Sequence, residues 1–216
     1  MHLLATEPGT VQDGTAARDL GQTPGTIVFL SAADTEIALV SAATRAESTG
    51  FPSVRAANLL VLAHNLSVDL YADAVLSRAK LIVVRLLGGR GYWPYGVERI
   101  VDLARRHDIK TAFLPGGDEP DMDLARASTL GAPAQHRLWQ YLVHGGQANA
   151  QSFVRYAAGL IGHAADYLEP RPLPRAGIYP TANIAHVPGR PLAVLIFYRA
   201  LMQAGDTAAV DALLAA

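Results

Sequence analysis

A chain of 216 residues, 50% hydrophobic and 17% charged, is long enough for one large domain and too apolar for a disordered one. Its formal net charge of -1 gives no general attraction for nucleic acid or an anionic membrane, and the lack of cysteine excludes disulfides, thiolate metal sites and cysteine nucleophiles. With neither a basic leader nor an apolar run of about 18 residues, the protein is expected to be soluble and cytoplasmic, with no membrane or nucleic-acid partner.

Taken in chain order, "HLLAT" at His2–Thr6 and "TIVFLS" at Thr26–Ser31 have the continuous apolar character of buried strands. A Gly/Pro/Asp-rich link separates them. The next segment reads as a helix: Ser31 and Asp34 stand three apart as in a capping box, and Ile37, Val40 and Ala43 form a stripe. "SVRAANLLVL" is a third strand-like run, diluted by alanine and asparagine, and a helix follows from about Ser67. "KLIVVRLLG" is the clearest strand, and "KTAFLPGG" is another; a helix from Pro94 lies between them with Val97, Ile100, Val101 and Ala104 on one face. Strands alternating with helices predict an α/β fold, a doubly wound, mostly parallel sheet with flanking helices. Its binding edge is then the carboxyl ends of the strands.

From Pro133 the pattern turns helical. One helix stops at Gly145 and Gly146, and a second carries Phe153, Ala157, Leu160, Ile161, Ala164 and Leu168. "EPRPLPRAGIYP" has four prolines in twelve residues, which is linker chemistry. "PLAVLIFYRAL" predicts a strand, and "DTAAVDALLAA" a helix opened by Asp206 with no glycine, proline or polar stop. The expected organisation is an N-terminal α/β domain with its helical pair over residues 1–168, a Pro-rich linker over 169–190, and the start of a truncated second α/β domain over 191–216.

The loop "LLGGRGYWPYG" after the clearest strand has the parts of a phosphate cradle but not its chemistry. A Walker loop needs lysine after its last glycine, and the only lysines, Lys80 and Lys110, follow no glycine. A dinucleotide fingerprint begins at Gly89 and Gly91, yet Pro94 stands where the third glycine belongs. Two readings stay open: a tight turn around a buried tryptophan, or a flat ligand platform in which aromatic faces stack on a planar ring and Arg85 or Arg90 pairs with its carboxylates. "PGGDEPDMD" gathers Asp118, Glu119, Asp121 and Asp123, which misses the spacing of a calcium loop and suits a helix start; Asp34 and Glu36 read the same way. The seven histidines show no zinc-ligand spacing, and no G-x-S-x-G elbow occurs, so no metal site and no catalytic residue is assigned.

Several stretches together, "MHLLATEPGT", "IVFLSAADTEIALV", "SVDLYADAVLSRAKLIVVRLLGGRGYWPYGVERI", "LPGGDEPD", "HRLWQYLVHGGQAN" and "LIFYRALMQAGDTAAVDAL", resemble the N-terminal region of the large subunit of aerobic cobaltochelatase, in one superfamily with the magnesium chelatase large subunit. The resemblance runs nearly end to end. It implies a tetrapyrrole-carrying subunit of a ligase that forms nitrogen–metal bonds, inserting Co²⁺ as substrate into hydrogenobyrinic acid a,c-diamide for cobalamin. ATP and Mg²⁺ would be used by partner subunits, an AAA+ ATPase and its companion, and the segment alone would be inactive. The rival within the superfamily, a magnesium chelatase subunit acting on protoporphyrin IX, fits "FLSAADTE" and "RLLGGRGYWPYG" less well. A rival of another class is a non-catalytic assembly module. The resemblance implies macrocycle-facing roles for Gly88, Gly89, Tyr92, Trp93 and Gly96, with Arg85 before them, and places Asp34 and Asp118 at acidic positions of helix starts.

Overall fold

The computed structural model describes residues 16–179, 189, 191 and 193–215. Among them, strands β1 (Ile27–Ser31), β2 (Val54–Asn58), β3 (Leu81–Leu86) and β4 (Lys110–Pro115) form an all-parallel sheet in the order β2-β1-β3-β4. Every residue of β1 and β3 is buried, because helices cover both faces of the sheet; that is why both strands are continuously apolar up to their last residues.

Strand parity divides the core in two. Val28 and Leu30 of β1, with Ile82, Val84 and Leu86 of β3, pack against α2 (Asn65–Ala74) and α3 (Pro94–His107). Ile27, Phe29, Leu81 and Val83 point the other way, onto α1 (Asp34–Arg45), α5 (Ala132–His144) and α6 (Gln147–Leu160). The short α4 (Met122–Ala127) follows β4, and α7 (Arg199–Ala204) and α8 (Ala208–Ala215) end the described chain. From β1 the chain crosses to β2 on one side and later resumes at β3 on the other. The order therefore reverses between β1 and β3, the switch point at which doubly wound sheets open a crevice.

Pro94 opens α3 at its first position, and Gly145 and Gly146 separate α5 from α6, as the sequence predicts. Other expectations need correction. The strand expected at His2–Thr6 lies outside the described residues. Ser31 and Asp34 form no capping box: Ser31 ends β1, the cap position is Ala33, and no side chain caps that end. The strand-like run from Ser53 stops at Asn58, whose side-chain oxygen accepts the Leu60 amide at 2.9 Å and turns residues 59–62 into a 3₁₀ turn.

The second helix of the pair also ends earlier than its apolar stripe. Left-handed Gly162 closes it, and the His163 amide turns back to the Ala158 carbonyl at 3.0 Å, so Ala164 and Leu168 lie beyond it. The proline-rich stretch that follows is docked along α5 and α6. The Asn149 amide brackets Arg171, accepting its N–H at 2.9 Å and donating to its carbonyl at 2.8 Å, while Tyr141 donates to the Leu168 carbonyl. Arg137 pairs with Glu169 at 3.0 Å and lies over the rings of Tyr156 and Tyr167.

Among the described residues of the run expected to be a strand from Pro191, no strand is formed. Residues 193–198 join no ladder, and Val194, Ile196 and Tyr198 are exposed, because no described strand lies alongside to supply hydrogen-bond partners. Beyond them α7 returns to the domain: the Gly146 amide donates to the Gln203 carbonyl at 2.8 Å. A Cβ on Gly145, whose φ is +64°, would stand 2.6 Å from that carbonyl oxygen, so this contact needs glycine for its space as well as its conformation.

Candidate functional site

The residues singled out in the sequence all lie at the carboxyl end of the sheet, but they do not converge on one pocket. Arg85 is the next-to-last residue of β3 and pairs in register with Ser31 of β1, across the switch point. Parity puts both on the α1 face, and there they meet Glu36 from the first turn of that helix. The Arg85 guanidinium forms an ion pair with Glu36 and donates to the Gly116 carbonyl at 2.8 Å and to the Pro115 carbonyl at 3.4 Å. Glu36 in turn accepts the Ser31 hydroxyl at 2.7 Å, and Ser31 accepts the Ala33 amide at 3.1 Å.

Burial lowers the pKa of Arg85 from its ordinary value, and the charge and hydrogen bond of Glu36 oppose that shift. The network satisfies its own members; no buried side-chain nitrogen or oxygen among the described residues lacks a partner. Glu36 stands in the first turn of α1, as the sequence predicts, and it is also the counter-charge that lets an arginine sit inside a parallel sheet.

Arg85 and Glu36 form one wall of a partly open cavity of about 160 Å³, lined also by Tyr141, Gly145 and Gln203 of α7. At roughly 30 Å³ per water it could take about five waters. Ligand pockets for drug-sized molecules run from about 300 to 1,000 Å³, so this cavity is small beside them.

The aromatic loop divides between core and surface. Trp93 is 5% exposed, and its indole N–H donates to the Leu62 carbonyl at 2.9 Å. Gly96 lies directly against the indole, where a Cβ would come within 2.1 Å of the ring. The geometry is that of a tight turn around a buried tryptophan. Gly88 and Tyr92 remain at the surface, and Gly89 takes a φ of +66°. Tyr95 turns aside to donate to Asp69 at 2.7 Å, which raises its pKa.

The acidic positions are split as well. Asp34 accepts the Asn58 amide at 2.7 Å. Asp121 caps α4 by accepting the amides of Asp123 at 2.9 Å and Leu124 at 3.0 Å, so the acid-rich loop does begin a helix. Asp118 and Glu119 are exposed on the loop between β4 and α4. Among the described residues no three histidines or carboxylates gather as a metal site, and no helix is long and apolar enough to cross a membrane.

The family described as CobN/Magnesium Chelatase matches residues 139–216. The aerobic cobaltochelatase subunit CobN of Sinorhizobium sp is 43% identical over 231 aligned residues, covering 99% of this chain and 18% of the relative. That of Pseudomonas aeruginosa is 40% identical over 218, covering 96% and 17%. The solved catalytic subunit of cobaltochelatase from Mycobacterium tuberculosis superposes with a TM-score of 0.70 at 23% identity, over 88% of this chain and 15% of that one, which is a likeness of fold. The chain spans less than a fifth of the length of the curated relatives it matches.

Proposed function

Because the chain belongs to the family of cobaltochelatase and magnesium chelatase large subunits, we propose that it forms part of the large, tetrapyrrole-carrying subunit of an ATP-dependent cobaltochelatase. The reaction is insertion of Co²⁺, as substrate, into hydrogenobyrinic acid a,c-diamide in aerobic cobalamin biosynthesis. ATP is hydrolysed with Mg²⁺ on an AAA+ subunit acting with a companion subunit, in keeping with a glycine loop here that has no phosphate-binding lysine. The observation that carries the reading is identity of 43% and 40% to cobalt-branch subunits along nearly the whole chain.

Metallation requires water to be stripped from the cation, the macrocycle to be bent so that its nitrogen lone pairs are accessible, and ring protons to be removed. Each task needs a group facing solvent or substrate. Arg85 and Trp93 face inward and are already satisfied, so within this segment they hold the sheet edge in shape and leave the metal and the ring protons alone. Of the residues that the resemblance singles out, Gly88, Tyr92 and Asp118 face outward at the carboxyl edge.

Genetic complementation tests the assignment. A large-subunit gene carrying this segment restores cobalamin synthesis to a strain lacking its own cobaltochelatase large subunit. Failure to restore it, with the protein expressed and folded, contradicts the reading.

A further inference from the structure

The polar cavity at the switch point has one wall that does not belong to the sheet or to the helices packed on it. Arg85 and Glu36 line it from β3 and α1, Ala150 from α6, and Ala200 and Gln203 from α7, which arrives from the far side of the proline-rich stretch. Closure at this wall is specific. The Gly146 amide donates to the Gln203 carbonyl at 2.8 Å, and the Gln203 side-chain amide donates to the Val143 carbonyl at 3.3 Å. Glycine is needed on both sides of the seam: a Cβ on Gly145 would stand 2.6 Å from the Gln203 carbonyl oxygen, and one on Gly205, at a φ of +67°, would stand 2.7 Å from the Leu39 side chain.

The same wall is weakly held. None of the six residues of α7 is buried, residues 193–198 before it join no ladder, and so short a helix gains little from its own hydrogen bonds. The sheet beneath is the opposite case, with every residue of β1 and β3 buried. Lifting α7 also strands no buried charge, because Arg85 and Glu36 are satisfied by each other, by Ser31 and by the carbonyls of Pro115 and Gly116. An element with specific contacts but no buried apolar anchor opens at a fraction of the free energy that unfolds the core.

We propose that α7 is a lid on the switch-point cavity, which opens along the Gly145–Gly146 seam while the sheet stays folded and exposes the wall formed by Arg85 and Glu36. That wall lies in the crevice where doubly wound sheets take their ligands.

Hydrogen exchange read by mass spectrometry, on the complete large subunit that carries this segment, follows the opening. In the wild type, peptides spanning α7 exchange at least about tenfold faster than those of β1 and β3. Gly145→Ala drives a methyl group into the Gln203 carbonyl and accelerates exchange at α7 and Gly146 by about tenfold more, with β1 and β3 unchanged. Gly205→Ala strikes Leu39 across the same seam and gives the same response, which covers the case in which Gly145→Ala fails to fold. The control is Gly162→Ala: it imposes left-handed strain at a φ of +88° with nothing within 4 Å of the new Cβ, and it leaves α7 as in the wild type.

Access to the cavity is read separately. A thiol placed in its wall by Ala150→Cys reacts with methyl methanethiosulfonate, and the reaction, located by peptide mapping, becomes about tenfold faster when either seam variant is added. Wild-type α7 protected as strongly as β1 and β3 overturns the proposal, as does loss of protection by α7 and the sheet together in both seam variants. An equal response of α7 to Gly162→Ala, or faster exchange at α7 with the cavity thiol no more reactive, overturns it as well.

Discussion

At the scale of the residue, the structure turns on whether a polar group at the sheet edge is satisfied from within. Arg85 interrupts an otherwise apolar strand, and alternation from Leu81 and Val83 tells a reader of the sequence which face it takes. Its partner is not legible in that way. Glu36 meets it only because the crossover lays the first turn of α1 over the same face, a tertiary fact that no local pattern encodes. Removing one member strands the other: Glu36→Ala is expected to cost about 3–5 kcal/mol by leaving a buried guanidinium without its counter-charge. Replacing both, with Arg85→Met and Glu36→Leu, restores much of that loss, as urea denaturation midpoints of the single and double variants will show. Trp93 teaches a related lesson. Its residue type fits a platform or a core equally well, and only the contact with Gly96 and the bond to Leu62 decide for the core.

At the scale of the element, the strands were the most readable part. β1, β3 and β4 are largely apolar runs, interrupted by Arg85 and, at the start of β4, by Lys110 and Thr111, because helices bury both sides of the sheet; the helix start at Pro94 and the helix end at Gly145 follow from backbone chemistry alone. Failures arose where a side chain or a missing neighbour overrode propensity. Asn58 turned residues 59–62 out of the ladder, and residues 193–198 have strand composition with no described strand beside them. The proline-rich stretch has the composition of a link, and its docking depends on Asn149 and Tyr141, which are distant in sequence.

That docking has a pH signature. Burial, with the Glu169 carboxylate adding to it, pushes the Tyr141 phenol up from 10.0 to about 12. A folded-state value above the unfolded one gives a stabilising contribution that is complete below about pH 10 and disappears as the pH rises through about 12. Denaturation midpoints measured between pH 8 and pH 12 are therefore expected to fall over the upper part of that range. Tyr141→Phe, which cannot ionise, should lose the part of the slope that comes from this group.

At the scale of the whole molecule, a parallel sheet carries at its carboxyl edge a cavity of about 160 Å³, an inward-facing arginine and tryptophan, and the exposed side chain of Tyr92. The doubly wound class and the carboxyl-edge position of the candidate residues were legible, since they follow from strand–helix alternation. The separation of those residues into core and surface was not, because it depends on how the loops after β3 and β4 pack together. The central claim is that this segment serves a cobalt chelatase. Its most direct measurement is metal and ring selectivity of the complete large subunit carrying the segment, reconstituted with its companion subunits and ATP. The expected outcome is ATP-dependent uptake of Co²⁺ into hydrogenobyrinic acid a,c-diamide, seen as a shift in corrinoid absorbance; insertion of Mg²⁺ into protoporphyrin IX in its place would refute the assignment.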